Sequence, residues 1–527
     1  MGTVEEEPLK TSKTQTIELK EKTWKEKIQY VKENITLEPV LTCYVIPGTI
    51  SRLATQNLNL DKACRVNKNF GEEVCNALLA RQGNKYINEE LEVQELIAAM
   101  ESWKNVLLTA IPSFLILFLG AWSDRTKKRK LCILLPIFGE LLACVSNILN
   151  AYFFYELPVE VTMFFEALFP AITGSWAATY MGAFSYISDI SSEESRTFRV
   201  GVANLCLTAG GPIGAALSGI LLEKIGYYGV FSISSVLYGC SIAYGYFYIT
   251  DPEGNNEKDS VQNEPKGVWN SLKTFFDLQH VKNTLEVAFK KGPNHRRTKS
   301  ILVLLSIGFI YGPTYGEFTM RYLFTRYRFN WDAVMYSLFS TCHILTHALG
   351  ALISISVFSR RLKWHDSVLG LISTTSKIIG GVCTGFARNS MEMYIAVIIE
   401  SFNATSFTAL RSISSKLVTK DELGKMTSLF NLMEILTSMV FGPIYSSVYK
   451  WTVKTDASVM YYMSTVLTIP PILIFVWFFM EHRSTVRKEK SGKAEESQKE
   501  LEKLEKNSAS ENKDEFFFSS IEIDLPD

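Results

Sequence analysis

The chain has 527 residues, of which 47% are hydrophobic and 20% charged, and its 54 basic and 54 acidic side chains cancel to a formal net charge of zero. A neutral chain has no basic footprint for nucleic acid, so DNA and RNA are not expected as partners. The charge is segregated: the first ~35 residues, the last ~45 and the stretch 251–300 are polar, and between them lie apolar runs of the length a helix needs to cross a hydrocarbon core.

Residues 1–36 form a polar N-terminal segment without the apolar core of a signal peptide. In it WKEKIQYVKENI places Trp24, Ile28, Val31 and Ile35 on one helical face, either as a helix on the membrane surface or as a solvated linker. The expected N-terminal half, 37–250, holds six spans at 37–54, 100–122, 131–154, 161–187, 200–222 and 230–249. A polar central loop, 251–300, follows; Val268, Trp269, Leu272, Phe276, Leu285 and Phe289 recur in it at helical spacing. The C-terminal half, 301–481, holds spans at 301–324, 333–358, 367–386, 391–412, 427–449 and 459–480, and residues 482–527 read as a disordered tail rich in Lys, Glu and Ser. The fold class expected is an all-α membrane protein with twelve transmembrane helices in two six-helix halves.

Lysine and arginine collect in alternate loops: the N-terminal segment, the loop after span two, the central loop, Arg360 to Lys363, and Lys416 to Lys425. The positive-inside rule puts these loops and both termini in the cytosol. Most of the nine cysteines sit alone in apolar runs as packing residues, but Cys64 and Cys75 share the polar first outer loop and form a disulfide candidate. No zinc-ligand spacing and no cofactor-binding pattern is present, so no metal and no cofactor are expected, and the absence of HExxH, GxSxG and GxxxxGK[ST] speaks against an enzyme.

The loop after span two reads GAWSDRTKKRK. Orientation alone accounts for its lysines but not for Gly120, Asp124 and Arg125 ahead of them. The pattern Gly120, Asp124, Arg125, Arg129 and Lys130 resembles the signature loop of the major facilitator superfamily, with Lys127 where a second glycine is usual. The resemblance implies two halves rocking about a central site, with Asp124 latching onto the helix start at Lys425–Thr427; the alternative is a plain surface loop. In span five TAGGPIGAALSG resembles the superfamily's glycine-proline motif, with Gly210, Gly211 and Pro212 as gating candidates, or else a tightly packed helix.

Within the superfamily, NLDKACRVNKNFGEEVC, YISDISSEESRTFRVG and RSISSKLVTKDELGKMTSLFNLMEI resemble the proton-coupled folate transporter family, solute carrier family 46. That family's proton-coupling acid in span five aligns with Asn204, its span-seven histidine has no counterpart in FIYGPTYGE, its span-four acid aligns near Ser175, and its basic residue late in span ten is retained as Arg411.

Ionisable groups inside spans are candidates for the solute and proton pathway. His343 and His347 share a helical face and carry either a proton or a packing role. Glu317 and Arg321 share the same spacing and either neutralise each other or leave Arg321 for an anionic solute. Arg411 binds a carboxylate or anchors its helix end; Glu38 and Glu434 are expected to have basic partners across the bundle. The reading that results is a secondary active transporter of an organic anion, proton-coupled, in the plasma or lysosomal membrane. Folate-like compounds or bacterial cell-wall muropeptides are the candidate solutes, and protons and the lipid bilayer are further partners. The alternative is a facilitative carrier or nutrient sensor on the same fold.

Overall fold

The computed structural model describes residues 36–80, 85–126, 128–191, 193–251, 289–290, 295–419 and 422–487, with isolated positions 491 and 498. The proposed surface helices around Trp24 and Trp269 and nearly all of the C-terminal tail lie outside the described residues. The described residues are mostly helical, joined by short turns, and contain no strands.

Among the described residues, eight helices are long and apolar enough to cross a membrane. One of them, residues 199–248, turns at Gly226 and supplies spans five and six. The remaining three of the twelve expected spans fail that criterion for physical reasons. Span one, Glu38–Lys62, is polar at its far end, and spans four and ten are each broken. Span four divides into Val159–Thr173 and Ser175–Ile190 at Gly174, whose φ of 94° only glycine adopts without strain. Span ten divides into Ser390–Ile399 and Thr405–Lys416.

Several boundaries differ from the sequence expectation. Span one continues as helix through Lys62 and a wide turn, Ala63–Asn67, so the polar stretch expected as a loop begins helical. Span two is the long helix Ile87–Thr126. Span eight ends in a wide turn, Ser354–Arg361, and span eleven begins at Leu423, ahead of the helix start expected at Lys425. Polar residues at span ends extend these helices, because backbone hydrogen bonds continue where side-chain hydropathy stops.

The halves meet where spans one, two, five, seven, eight and eleven face one another. At the disulfide end Tyr322 donates to Asn57 Oδ1 at 2.8 Å, Tyr449 donates to Gln94 Oε1 at 2.6 Å, and Arg326 pairs with Glu90 at 3.0 Å. Arg326 also donates to the Leu78 carbonyl at 2.8 Å, in the segment tied to span one by the Cys64–Cys75 disulfide. These buried bonds close the two halves against each other at that end.

Candidate functional site

The C-terminal half buries a cluster of ionisable groups contributed by four spans. Lys377 of span nine (Asp366–Phe386) donates to Glu317 Oε2 of span seven at 2.6 Å and to Glu400 Oε1 at the break of span ten at 2.9 Å. The sequence builds this from one helical face: Ser373, Ser376, Lys377 and Gly380 recur at i, i+3, i+4 and i+7. Ser376 donates to the Ile399 carbonyl, Ser373 donates to the Asn403 carbonyl, and the Ser406 N–H donates to Ser373 Oγ. Those three bonds take up backbone groups released by the break in span ten, a requirement inside a membrane. A Cβ on Gly380 would collide with the Glu400 side chain, so glycine there lets the helices come close enough for Lys377 to reach both acids.

His343 and His347 stack with ring centroids 4.1 Å apart, and donor atoms of His343, His347 and Glu400 all lie within 4.8 Å of one another. Span ten thus adds a third possible ligand to the two histidines, a grouping that sequence spacing does not display. Three donors match the ligand number of a catalytic zinc site, but the charge does not favour a divalent ion. Lys377 already holds Glu400, and Arg321, buried at 7% exposure, lies within electrostatic reach of Glu317 and Glu400. Two carboxylates and two cations balance at zero with the histidines neutral. A divalent ion would leave a buried excess of two charges, a proton only one. Glu317 Oε1, His347 Nε2 and Asn403 Oδ1 are buried there without a hydrogen-bond partner, so the cluster has acceptors free to take a proton or a water.

Glu317 and Arg321 do not form the pair their spacing offered: Lys377 takes Glu317, and among the described residues Arg321 has no carboxylate at ion-pair distance. The reason is reach, since Lys377 comes from a facing helix straight into the carboxylate.

The N-terminal half holds a second lysine of the same kind. Lys104 of span two lies 2.8 Å from Glu101 and 2.7 Å from Glu166 of span four, and Asn59 of span one donates to Glu166 at 3.1 Å. Next to it, Tyr315 of span seven donates to Asn105 Oδ1 at 3.4 Å. One turn further along span seven, Phe318 lies under Arg52 of span one, with the guanidinium carbon 3.8 Å from the ring centroid.

The other predicted residues are placed as follows. Arg411 is 53% exposed and donates to Glu434 at 3.1 Å and to Asn431 at 3.3 Å, so Glu434 has the basic partner expected for it. Glu38 has no such partner among the described residues; its Oε2 accepts the Thr36 and Leu37 N–H groups at the start of span one, a helix-capping arrangement. Asn204 is exposed, and its carbonyl accepts Thr208 Oγ1. In the signature loop Arg129 pairs with Asp189 at 2.9 Å and Lys130 binds the Tyr246 carbonyl, tying the loop to spans four and six. The side chains of Asp124, Arg125 and Lys425 lie outside the described residues. Gly210 packs on Val45 of span one and Gly219 on Ala333 and Ser337 of span eight, Gly211 faces open space, and Pro212 lies within the helix.

Sequence reasoning missed Glu101, Lys104 and Lys377. The signal was present, since each is a charge inside an expected span, the same criterion that selected Glu317. Arg326 and Glu90 were also missed; they lie beyond the span ends that hydropathy drew.

A sequence profile of the Major Facilitator Superfamily matches residues 96–376 and 319–518. Among curated proteins the chain is 24% identical to the lysosomal proton-coupled steroid conjugate and bile acid symporter of Gallus gallus, over 85% of this chain and 94% of that protein. It is 23% identical to the probable peptidoglycan muropeptide transporter SLC46 of Drosophila melanogaster, over 82% and 83%. It is 25% identical to the proton-coupled folate transporter of Rattus norvegicus, over 73% and 80%. Among solved structures, the human organic anion transporter MFSD10 superposes with a TM-score of 0.54 at 13% identity, covering 84% of this chain and 99% of that one.

Proposed function

The chain belongs to the major facilitator superfamily, as a multi-pass membrane transporter of the solute carrier 46 type, and from that premise we propose that it is a proton-driven carrier of an organic anion. The observation that carries the proton coupling is the buried Glu317–Lys377–Glu400 arrangement beside His343 and His347. It offers protonatable groups on spans seven, eight and ten of one half, and it does so where the folate family's span-five acid is replaced by Asn204. The charge balance supports symport. A proton taken up alone leaves the membrane interior positive, an anion taken up alone leaves it negative, and the two together cost least. Rocking of the halves then moves both across.

The named relatives carry steroid conjugates, bile acids, folate or muropeptides. Such compounds share an acidic group on a larger body, and this is the solute class proposed here. The positive-inside bias supports cytosolic termini, with the disulfide end toward the cell exterior or the lysosomal lumen. On that orientation the pathway is closed toward the outside, and Asp124 latches the cytosolic side.

Reconstitution into liposomes with an imposed pH gradient tests the reading. Uptake of labelled folate, a bile acid, a steroid sulfate and a muropeptide is measured with and without a protonophore, beside Arg411→Ala. Uptake of at least one of them that is stimulated by acid on the disulfide side and abolished by the protonophore is expected. Uptake indifferent to the gradient would make the protein a facilitative carrier.

A further inference from the structure

The geometry points to Arg52, seated on Phe318 between the two halves, as the residue that receives the oxyanion group of the solute. This inference rests on the organic-anion reading above and adds the site at which the anion is recognised.

Four observations carry it. Arg52 lies near the middle of span one, and an arginine is kept there only where it has water, a partner or a ligand. It is exposed, and among the described residues it has no carboxylate at ion-pair distance; its one named partner is the Phe318 ring. The other basic residues of the interior that have been described differ: Lys104, Lys377, Arg326 and Arg411 each hold a glutamate, and Arg321 is buried. Finally, Phe318 belongs to the opposite half and is itself 38% exposed, so an incoming molecule meets a cation and an aromatic face together. A guanidinium presents parallel N–H donors that fit carboxylate, sulfate or sulfonate oxygens, and among the described residues no carboxylate engages those of Arg52. The ring supplies apolar area for the body of the solute.

The placement also links binding to movement. The Arg52–Phe318 contact joins span one to span seven, so an oxyanion that engages Arg52 does so at a joint between the rocking halves. The neighbouring Tyr315–Asn105 bond joins spans seven and two in the same region. Solute binding and half-to-half contact therefore draw on the same side chains.

The test uses the full-length protein in lipid nanodiscs and equilibrium binding of three labelled oxyanion probes, a steroid sulfate, a bile acid and folate, with the uncharged parent steroid as control. Wild-type protein is expected to bind at least one of the oxyanions. Arg52→Gln is expected to weaken that binding roughly ten- to a hundredfold, the loss of a charge-assisted hydrogen bond or two, while leaving the melting temperature and the binding of the uncharged steroid unchanged. Arg52→Lys, which keeps the charge without the fork, is expected between the two, and carries the test if Arg52→Gln does not fold. Equal oxyanion affinity in wild type, Arg52→Gln and Arg52→Lys overturns the role of Arg52 and leaves the organic-anion reading standing. Equal loss of the uncharged steroid in Arg52→Gln overturns it as well, because the position is then an apolar seat. Failure of wild-type protein to bind any of the three oxyanions removes the anion reading and this inference with it.

Discussion

Each half of the molecule places one lysine between two glutamates, with an arginine nearby that has no ion pair among the described residues, yet the two copies differ in burial and surroundings. In the C-terminal half Lys377, Glu317 and Glu400 have side chains no more than 8% exposed, the arginine is buried, and two histidines adjoin Glu400. In the N-terminal half Glu166 reaches 20% exposure, the arginine is exposed on an aromatic ring of the other half, and no histidine lies within the cluster. A sealed cluster with spare acceptors suits a proton; an open cation at a joint suits an anion. On the proposed function, burial is what directs a common charge motif to different ligands.

The comparison breaks most directly at the lysines. Lys377→Ala leaves two buried carboxylates without their counterion, a loss of roughly 3–5 kcal/mol, and should abolish folded protein at physiological temperature. Lys104→Ala should cost visibly less, since Glu166 reaches water. Thermal melts in detergent read the difference, and a Lys104 variant less stable than its counterpart would end the claim that the C-terminal cluster is the sealed one.

A finer cut separates coupling from transport. Glu400→Gln and His347→Gln keep the shape of the cluster while removing a proton acceptor. Counterflow of labelled solute should continue in these variants, whereas the acid stimulation of net uptake should fall from about tenfold per pH unit for a single linked proton toward none. Retained acid stimulation in both would remove the C-terminal cluster from the coupling.

The arginines sharpen the same contrast. Arg321→Gln should lower the melting temperature, because the buried carboxylates lose a balancing charge, while Arg52→Gln should not. Smaller still is the effect at the signature loop: Asp124→Asn should slow transport roughly two- to fivefold, the equivalent of a carboxylate at an exposed helix start, with unchanged surface abundance. Full activity in that variant removes the latch.

The smallest effect concerns acid. Glu422 at the start of span eleven bonds Lys290 and Arg296, and these hydrogen bonds hold its carboxyl down at about 2. A depressed carboxylate contributes its stability fully above the ordinary value of about 4.3 and loses it only as pH falls toward the depressed one. The tie between central loop and span eleven should therefore persist through lysosomal acidity, and hydrogen exchange at 423–428 should be the same at pH 7 and pH 5.

Much of this protein was legible before any coordinates. The alternation of apolar runs with polar loops pointed to twelve spans, and the polar central loop to two halves, because a bilayer forces backbone polar groups into helices and the required length follows from its thickness. Lone charges in apolar runs marked Glu317, Arg321, His343, His347 and Arg411, because burial of charge is costly enough to be rare. Partnership was not legible. The i, i+4 spacing of Glu317 and Arg321 proposed one ion pair, but Lys377, sixty residues away, took the acid, since the distance between facing helices decides which charge arrives first. The break of span ten at Glu400 and the proximity of Arg52 to Phe318 likewise depend on how spans from different parts of the chain are pressed together. Sequence determined which residues enter the membrane; tertiary packing decided which of them are sealed, which meet, and which stay open to a ligand.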